Sequence, residues 1–204
     1  MTSPRWRVSL WRGGCAGAAA LAVLALYTRL GALSGRDFAR FSGSAVPAAA
    51  APALELRDDR NRPFDLASLR GQAVLVYFGY VRCPDVCPTV LNALAPVFDR
   101  LGRDAARVRV VFVTLDPTHD TPAALHDFLA NFRPAPIGLT GRPRDVESIA
   151  RAWRIGWQDA GPDGRINHLS VLTLVGPDGH MRARYGMTQL GDPSGMASDI
   201  RSVL

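Results

Sequence analysis

No lysine occurs anywhere in the 204 residues, so all 24 basic side chains behind the formal charge are arginines. Alanine, arginine, glycine and proline are abundant instead, which reads as a base-composition bias of the source genome and carries no function. Acids are nearly missing from the start. Before residue 41, Asp37 stands alone against Arg5, Arg7, Arg12, Arg29, Arg36 and Arg40. Most of the net charge of +6 sits there, because the remainder balances eighteen arginines against seventeen acids. No basic face follows, and nucleic acid is excluded as a partner. Cysteine is scarce too: three in all, with four histidines, and in no recognisable zinc spacing. There is no internal repeat, and the length suits one ordinary domain with appendages.

What is present begins at the N-terminus. Arg5, Arg7 and Arg12 precede an uncharged run from Gly13 to Thr28, closed by Arg29. As a helix it would rise roughly 24 Å at 1.5 Å per residue, against a hydrocarbon core of ~30 Å. Snorkelling arginines at both ends close that gap. Residues 13–30 are therefore expected to form a transmembrane anchor, with 1–12 cytoplasmic and the rest on the extracytoplasmic, periplasmic-type side. A cleaved signal segment ending near Ala32-Leu33-Ser34 is the alternative, and it exports the domain equally well. Cys15 opens the apolar run, where a lipoprotein cysteine would follow it, and reads as a small buried residue. Residues 31–53 are rich in Ala and Pro and are expected to be a linker. The domain is expected over 54–204.

Within the domain the pattern alternates. The apolar run Ala73-Val74-Leu75-Val76-Tyr77-Phe78 predicts a central strand buried on both faces. Apolar residues at helical spacing from Val90 to Leu101 predict one helix from Thr89. A second strand is expected over Val108–Leu115. Thr121 as cap and Pro122 at the first position open a helix through Phe132. A further helix is expected over Pro143–Trp153, a strand over Leu169–Val175, and a hairpin partner over Met181–Tyr185 after a Gly176-Pro177-Asp178-Gly179 turn. The tail from Gly191 is assigned one short helix. The fold class is α/β, with a central mixed sheet flanked by helices.

The segment that carries chemistry runs from Tyr77 to Thr89, where the buried strand ends and a helix begins, a usual place for sites in α/β sheets. Pro84 and Pro88 bias Cys83 and Cys87 away from helical geometry. Pro88 suits the first helical position, which makes Cys87 the cap and puts Cys83 in the preceding turn. Exposed amides at the helix start would stabilise Cys87 as a thiolate. Three residues separate the two cysteines, where a thioredoxin-type motif has two. Such a pair can exchange a disulfide or bind a soft metal such as Cu(I). A purely stabilising disulfide would gain little from closing so short a loop.

Phe78-Gly79-Tyr80 with Cys83-Pro84-Asp85-Val86-Cys87-Pro88-Thr89 resembles the signature of the Sco/SenC family of copper proteins. Leu115-Asp116-Pro117-Thr118-His119-Asp120-Thr121-Pro122 looks like that family's second, acidic motif. Ile166-Asn167-His168, followed by an apolar strand and Pro177-Asp178-Gly179, looks like its histidine motif. The resemblance spans essentially residues 54–185. It implies a thioredoxin-like fold behind a membrane anchor, with copper held by Cys83, Cys87 and His168 in a metallochaperone that serves cytochrome c oxidase assembly. The implied partners are the copper-accepting subunit of the oxidase, other copper chaperones and thiol oxidoreductases. Val81, Arg82, Leu169 and Gly176 depart from the family pattern without removing a ligand. Arg82 beside a copper thiolate would alter its charge and redox poise. Two thiolates and an imidazole suit both copper oxidation states. Asp116 and Asp120 are either ordinary loop acids or supports for the ligands and contacts for a partner. His119, His126 and His180 read as solvated, and Met181 and Met187 as packing residues. The alternative function is an enzyme, a thiol–disulfide reductase or thiol peroxidase, that uses the cysteine pair without His168.

Overall fold

The computed structural model describes residues 41–47, 49–158 and 165–204. The expected anchor at 13–30, the 1–12 segment and Cys15 lie outside these residues. Among the described residues no helix is long and apolar enough to cross a membrane.

In chain order the strands are β1 (Ser44–Ala45), β2 (Glu55–Asp58), β3 (Pro63–Asp65), β4 (Ala73–Gly79), β5 (Val108–Thr114), β6 (Ile137–Thr140), β7 (Trp157–Gln158), β8 (Asn167–His168), β9 (Leu172–Val175) and β10 (Met181–Tyr185). The helices are α1 (Val86–Asn92), α2 (Ala95–Leu101), α3 (Pro122–Leu129), α4 (Pro143–Ala152), α5 (Met187–Leu190) and α6 (Pro193–Val203). The main sheet runs β1-β10-β9-β4-β5-β6-β2-β3, while β7 and β8 pair separately. Strands β4, β5 and β6 are parallel and the remaining pairings antiparallel, which is the thioredoxin-like mixed sheet expected.

Strand β4 is apolar throughout because it has no exposed face. Its period-2 alternation sends Ala73, Leu75 and Tyr77 to one core with α1, α2, α3 and α6. Val74, Val76 and Phe78 go to the other, with α4 and Trp153. The two cores sandwich the sheet and leave the carboxyl ends of β4 and β5 free to carry loops.

Several expectations need correction. The single helix from Thr89 to Leu101 is two, α1 and α2, although its apolar face is continuous. Pro96 explains the break, since it lacks the N–H that Asn92 O would need and its ring crowds that carbonyl. Thr121 does cap α3, accepting from Ala124 N at 3.2 Å, but the helix stops at Leu129. Strand β9 begins at Leu172, three residues later than expected: Leu169 N donates to Gly156 O at 2.8 Å, extending the separate pairing of β7 with β8, and Val171 N turns back to Leu169 O. The tail helix α6 is eleven residues long. Met187 is 47% exposed and so does not pack.

The segment expected to be a linker is partly bonded to the domain. Ser44–Ala45 pairs with Arg184 and Ala183, Ala50 bridges His180, and Ala51 N donates to Gly179 O at 2.9 Å. Buried Asp199 on α6 accepts from Ser42 N, Ser42 Oγ, Gly43 N and Tyr185 Oη. Small Ala and Ser side chains allow this stretch to lie flat on the sheet edge, so composition alone gave no warning of it.

Candidate metal centre

Three loops meet beyond the carboxyl ends of the central strands. The first leaves β4 at Gly79 and carries both cysteines. A Cβ on Gly79 would stand 2.8 Å from Cys87 Sγ and 3.0 Å from Phe112 and Tyr77, so only glycine admits the sulfur there. Tyr80 to Cys83 is a turn closed by Cys83 N donating to Tyr80 O at 3.2 Å. Helix α1 then starts at Val86, which puts Cys87 inside its first turn; the expectation that Cys87 caps the helix does not hold. Pro88 is tolerated as the third helical residue because the first N–H groups of a helix have no partner within it.

Both cysteines are free thiols, Cys87 fully buried and Cys83 8% exposed. Cys87 N donates to Cys83 Sγ at 3.4 Å, so the first sulfur sits over the start of the helix. Tyr77 Oη lies 3.7 Å from Cys87 Sγ. Burial pushes the Cys87 thiol up to about 12, with the Cys83 sulfur adding to the rise. Burial thus runs against the expected thiolate at Cys87: desolvation outweighs the hydrogen bonds from the Tyr80 backbone and the Tyr77 hydroxyl that favour the charged sulfur.

His168 arrives from 81 residues away, with Nε2 3.8 Å from Cys87 Sγ. The sheet explains the meeting. Leu172 pairs with Tyr77, so the loop entering β9 lies beside the loop leaving β4. The imidazole stands edge-on to Tyr77 and Tyr80, with ring centroids 6.2 and 6.1 Å away. Tyr80 Oη also accepts from Ile166 N at 3.3 Å, tying the cysteine turn to the histidine segment. Burial holds the His168 pKa below its usual value, so the ring is neutral and ready to donate a lone pair. Its Nδ1 is buried with no partner at hydrogen-bond geometry among the described residues, although the Leu169 backbone close by favours the charged ring.

The third loop, 115–120, stands beside the cysteine turn. Asp116 accepts from Arg82 at 2.8 Å and meets His119 Nδ1 at 2.7 Å. Burial raises its pKa, but His119 and Arg82 outweigh that and hold the carboxyl below its usual range. Arg82 therefore has a carboxylate partner of its own, and His119 is half-exposed yet bonded. Asp120 is buried, accepting from Thr114 Oγ1 at 2.5 Å and Val81 N at 3.0 Å, and burial pushes its pKa up. The structure thus brings Cys83, Cys87 and His168 together, with both acids in the adjoining loop. Spacing alone had given no role to Tyr77, Tyr80 or Thr114: Tyr77 and Thr114 stood only in expected strands, and Tyr80 only in the Phe78-Gly79-Tyr80 signature.

Among the described residues, no three Cys, His, Asp or Glu side chains already form a cage for an ion. The donor set nonetheless fits copper: two sulfurs, and an imidazole whose Nε2 faces Cys87 Sγ at 3.8 Å.

The SCO1/SenC pattern matches residues 43–204. The mitochondrial SCO2 homolog of Mus musculus is 36% identical over 142 residues, 67% of this chain and 56% of that protein. The chain spans about two thirds or less of the length of the curated relatives it matches. Among solved structures, Bradyrhizobium japonicum ScoI with copper bound is 30% identical with a TM-score of 0.68, covering 76% of this chain and all of that one. Apo Sco1 of Thermus thermophilus is 28% identical with a TM-score of 0.72, covering 80% and 97%.

Proposed function

The chain belongs to the SCO1/SenC family, and from that premise we propose that it carries copper on Cys83, Cys87 and His168 for assembly of the binuclear copper site of cytochrome c oxidase. The observation that carries this reading is His168 Nε2 at 3.8 Å from Cys87 Sγ, across 81 residues of chain. The copper bound by the Bradyrhizobium relative supports copper as the cargo. The two thiols would lose their protons on binding, and the neutral imidazole would complete a three-donor set for Cu(I). Cys83 and Cys87 would form a disulfide when the cargo is absent and the compartment oxidising. Residues 13–30 would hold the domain outside the cytoplasm. The copper-accepting oxidase subunit would be the recipient, with other copper chaperones or thiol oxidoreductases as further partners.

The enzyme alternative fits the thiols less well. A peroxidase depends on an accessible, acidic thiol. Cys87 is fully buried and pushed up to about 12, and Cys83 is 8% exposed.

Substituting His168→Ala tests the reading. Copper titration is expected to find Cu(II) binding severely weakened and Cu(I) better retained on the two sulfurs, with thiol oxidation intact. Cells carrying the variant should lose oxidase activity. Normal Cu(II) binding with full oxidase activity, alongside a peroxide-reducing activity abolished by Cys83→Ser, would overturn it in favour of the enzyme.

A further inference from the structure

The turn that presents Cys83 is fastened at both of its central residues to the 115–120 loop. Val81 N donates to Asp120 Oδ2 at 3.0 Å, and the Arg82 guanidinium donates to Asp116 Oδ2 at 2.8 Å. The same Asp120 oxygen accepts from Thr114 Oγ1, and that hydroxyl accepts from Asp116 N at 2.9 Å. Leu115 N donates to Gly79 O at 2.7 Å, so the two loops leave their parallel strands already joined.

The two attachments are unequal. The Arg82 side chain is 50% exposed and its partner Asp116 10%, and Asp116 keeps His119 Nδ1 at 2.7 Å if Arg82 is lost, so this half-exposed pair contributes the less of the two. Asp120 is 1% exposed. Removing its carboxylate would take the acceptor from the part-buried Val81 N–H and the fully buried Thr114 hydroxyl, which is the costly way to lose a hydrogen bond. Asp120 is not needed to cap α3, since Thr121 does that. Its side chain bonds serve the end of β5 and the cysteine turn.

We propose that Asp120 is a positioning residue for the metal site, setting through the Val81 N–H where Cys83 stands relative to Cys87 and His168. The proposal rests on the copper reading above. Support of this kind orients ligands without touching the ion, and its loss typically weakens metal binding about 10- to 100-fold.

The test compares the full chain with Asp120→Ala, Asp120→Asn and Arg82→Ala. Three quantities are read: copper affinity by competition titration, the thiolate-to-Cu(II) absorption band, and the rate of Cys83 alkylation without copper. Asp120→Ala is expected to lose about 10- to 100-fold in affinity, shift the band and speed alkylation of Cys83. Asp120→Asn keeps an oxygen that can accept from Val81 N–H and should restore most of all three. Arg82→Ala should stay within about fivefold of wild type. An Asp120→Ala chain with a lowered melting point but unchanged affinity, band and alkylation would make Asp120 merely structural and overturn the proposal. Should that variant not fold, Thr114→Val removes the hydroxyl that holds the same carboxylate. It must then show the same shifts in smaller measure, and an unchanged band overturns the proposal. If the wild-type chain itself fails to take copper, the functional reading falls, while the alkylation comparison still decides whether Asp120 holds the turn.

Discussion

Burial favours the uncharged form of both Cys87 and His168, because it penalises whichever form carries charge. For Cys87 the folded pKa is raised from 9.0 to about 12. The stability this contributes is present below about pH 9 and is lost as pH climbs from there toward 12. Ultraviolet thiolate absorbance of the reduced, metal-free chain, compared with Cys87→Ser, should therefore show one thiol titrating near the top of that window. A Cys87 signal complete by pH 10 would contradict the structure. The shift of His168 is downward, so the unfolded chain takes up that proton first, and stability falls as pH drops through the ordinary histidine range. Copper binding displaces thiol protons, so apparent copper affinity should rise with pH across the neutral range. Affinity flat between pH 6 and 8 would mean that the thiols are not the ligands.

Elements set how closely these residues can approach, and Gly79 at the end of β4 is the tightest point. Gly79→Ala would drive a methyl group into Cys87 Sγ, Phe112 and Tyr77. Overpacking of that kind costs about 1–3 kcal/mol, so urea denaturation should detect the loss and copper titration a weaker site. A neutral effect on both would mean that the loop yields freely. Strands β4 and β5 were legible in the sequence because burial on both faces demands unbroken apolar runs. The cysteine pair was legible as a motif at the end of a buried strand, and His168 only through the resemblance to the family's histidine motif. The division between α1 and α2 was hidden by an apolar face that continues across it, although Pro96 held the clue. The place of Cys87 inside its helix was misread because proline is tolerated at several first-turn positions, which sequence alone does not separate. Its protonation was misread too, because burial is a property of the packed fold and never of the motif.

For the whole molecule, the largest departure lies in where the packed unit begins. Residues 41–204 pack as one unit, and Asp199 gathers four donors, three of them from Ser42 and Gly43. A chain begun at Leu54 would lose β1, uncover the edge of β10 and leave Asp199 with only Tyr185. Each stranded buried group costs about 1–3 kcal/mol, and a bare edge strand invites pairing between copies. Thermal melting and size-exclusion chromatography should therefore find the shorter chain less stable and prone to self-associate, whereas one begun at Phe41 stays monodisperse. Equal melting points would mean that the edge segment is dispensable.

The 81-residue separation between Cys87 and His168 also has a consequence in time. During synthesis the thiols emerge well before the imidazole, and β9 can dock beside β4 only once the second half of the chain is available. Pairings so distant in sequence form late, because loop closure must precede the contacts that reward it. A chain stalled halfway could hold a metal by sulfur alone, whereas a site using both sulfurs and the imidazole would exist only after β9 has docked beside β4, so cargo held that way would report that the centre of the sheet has closed.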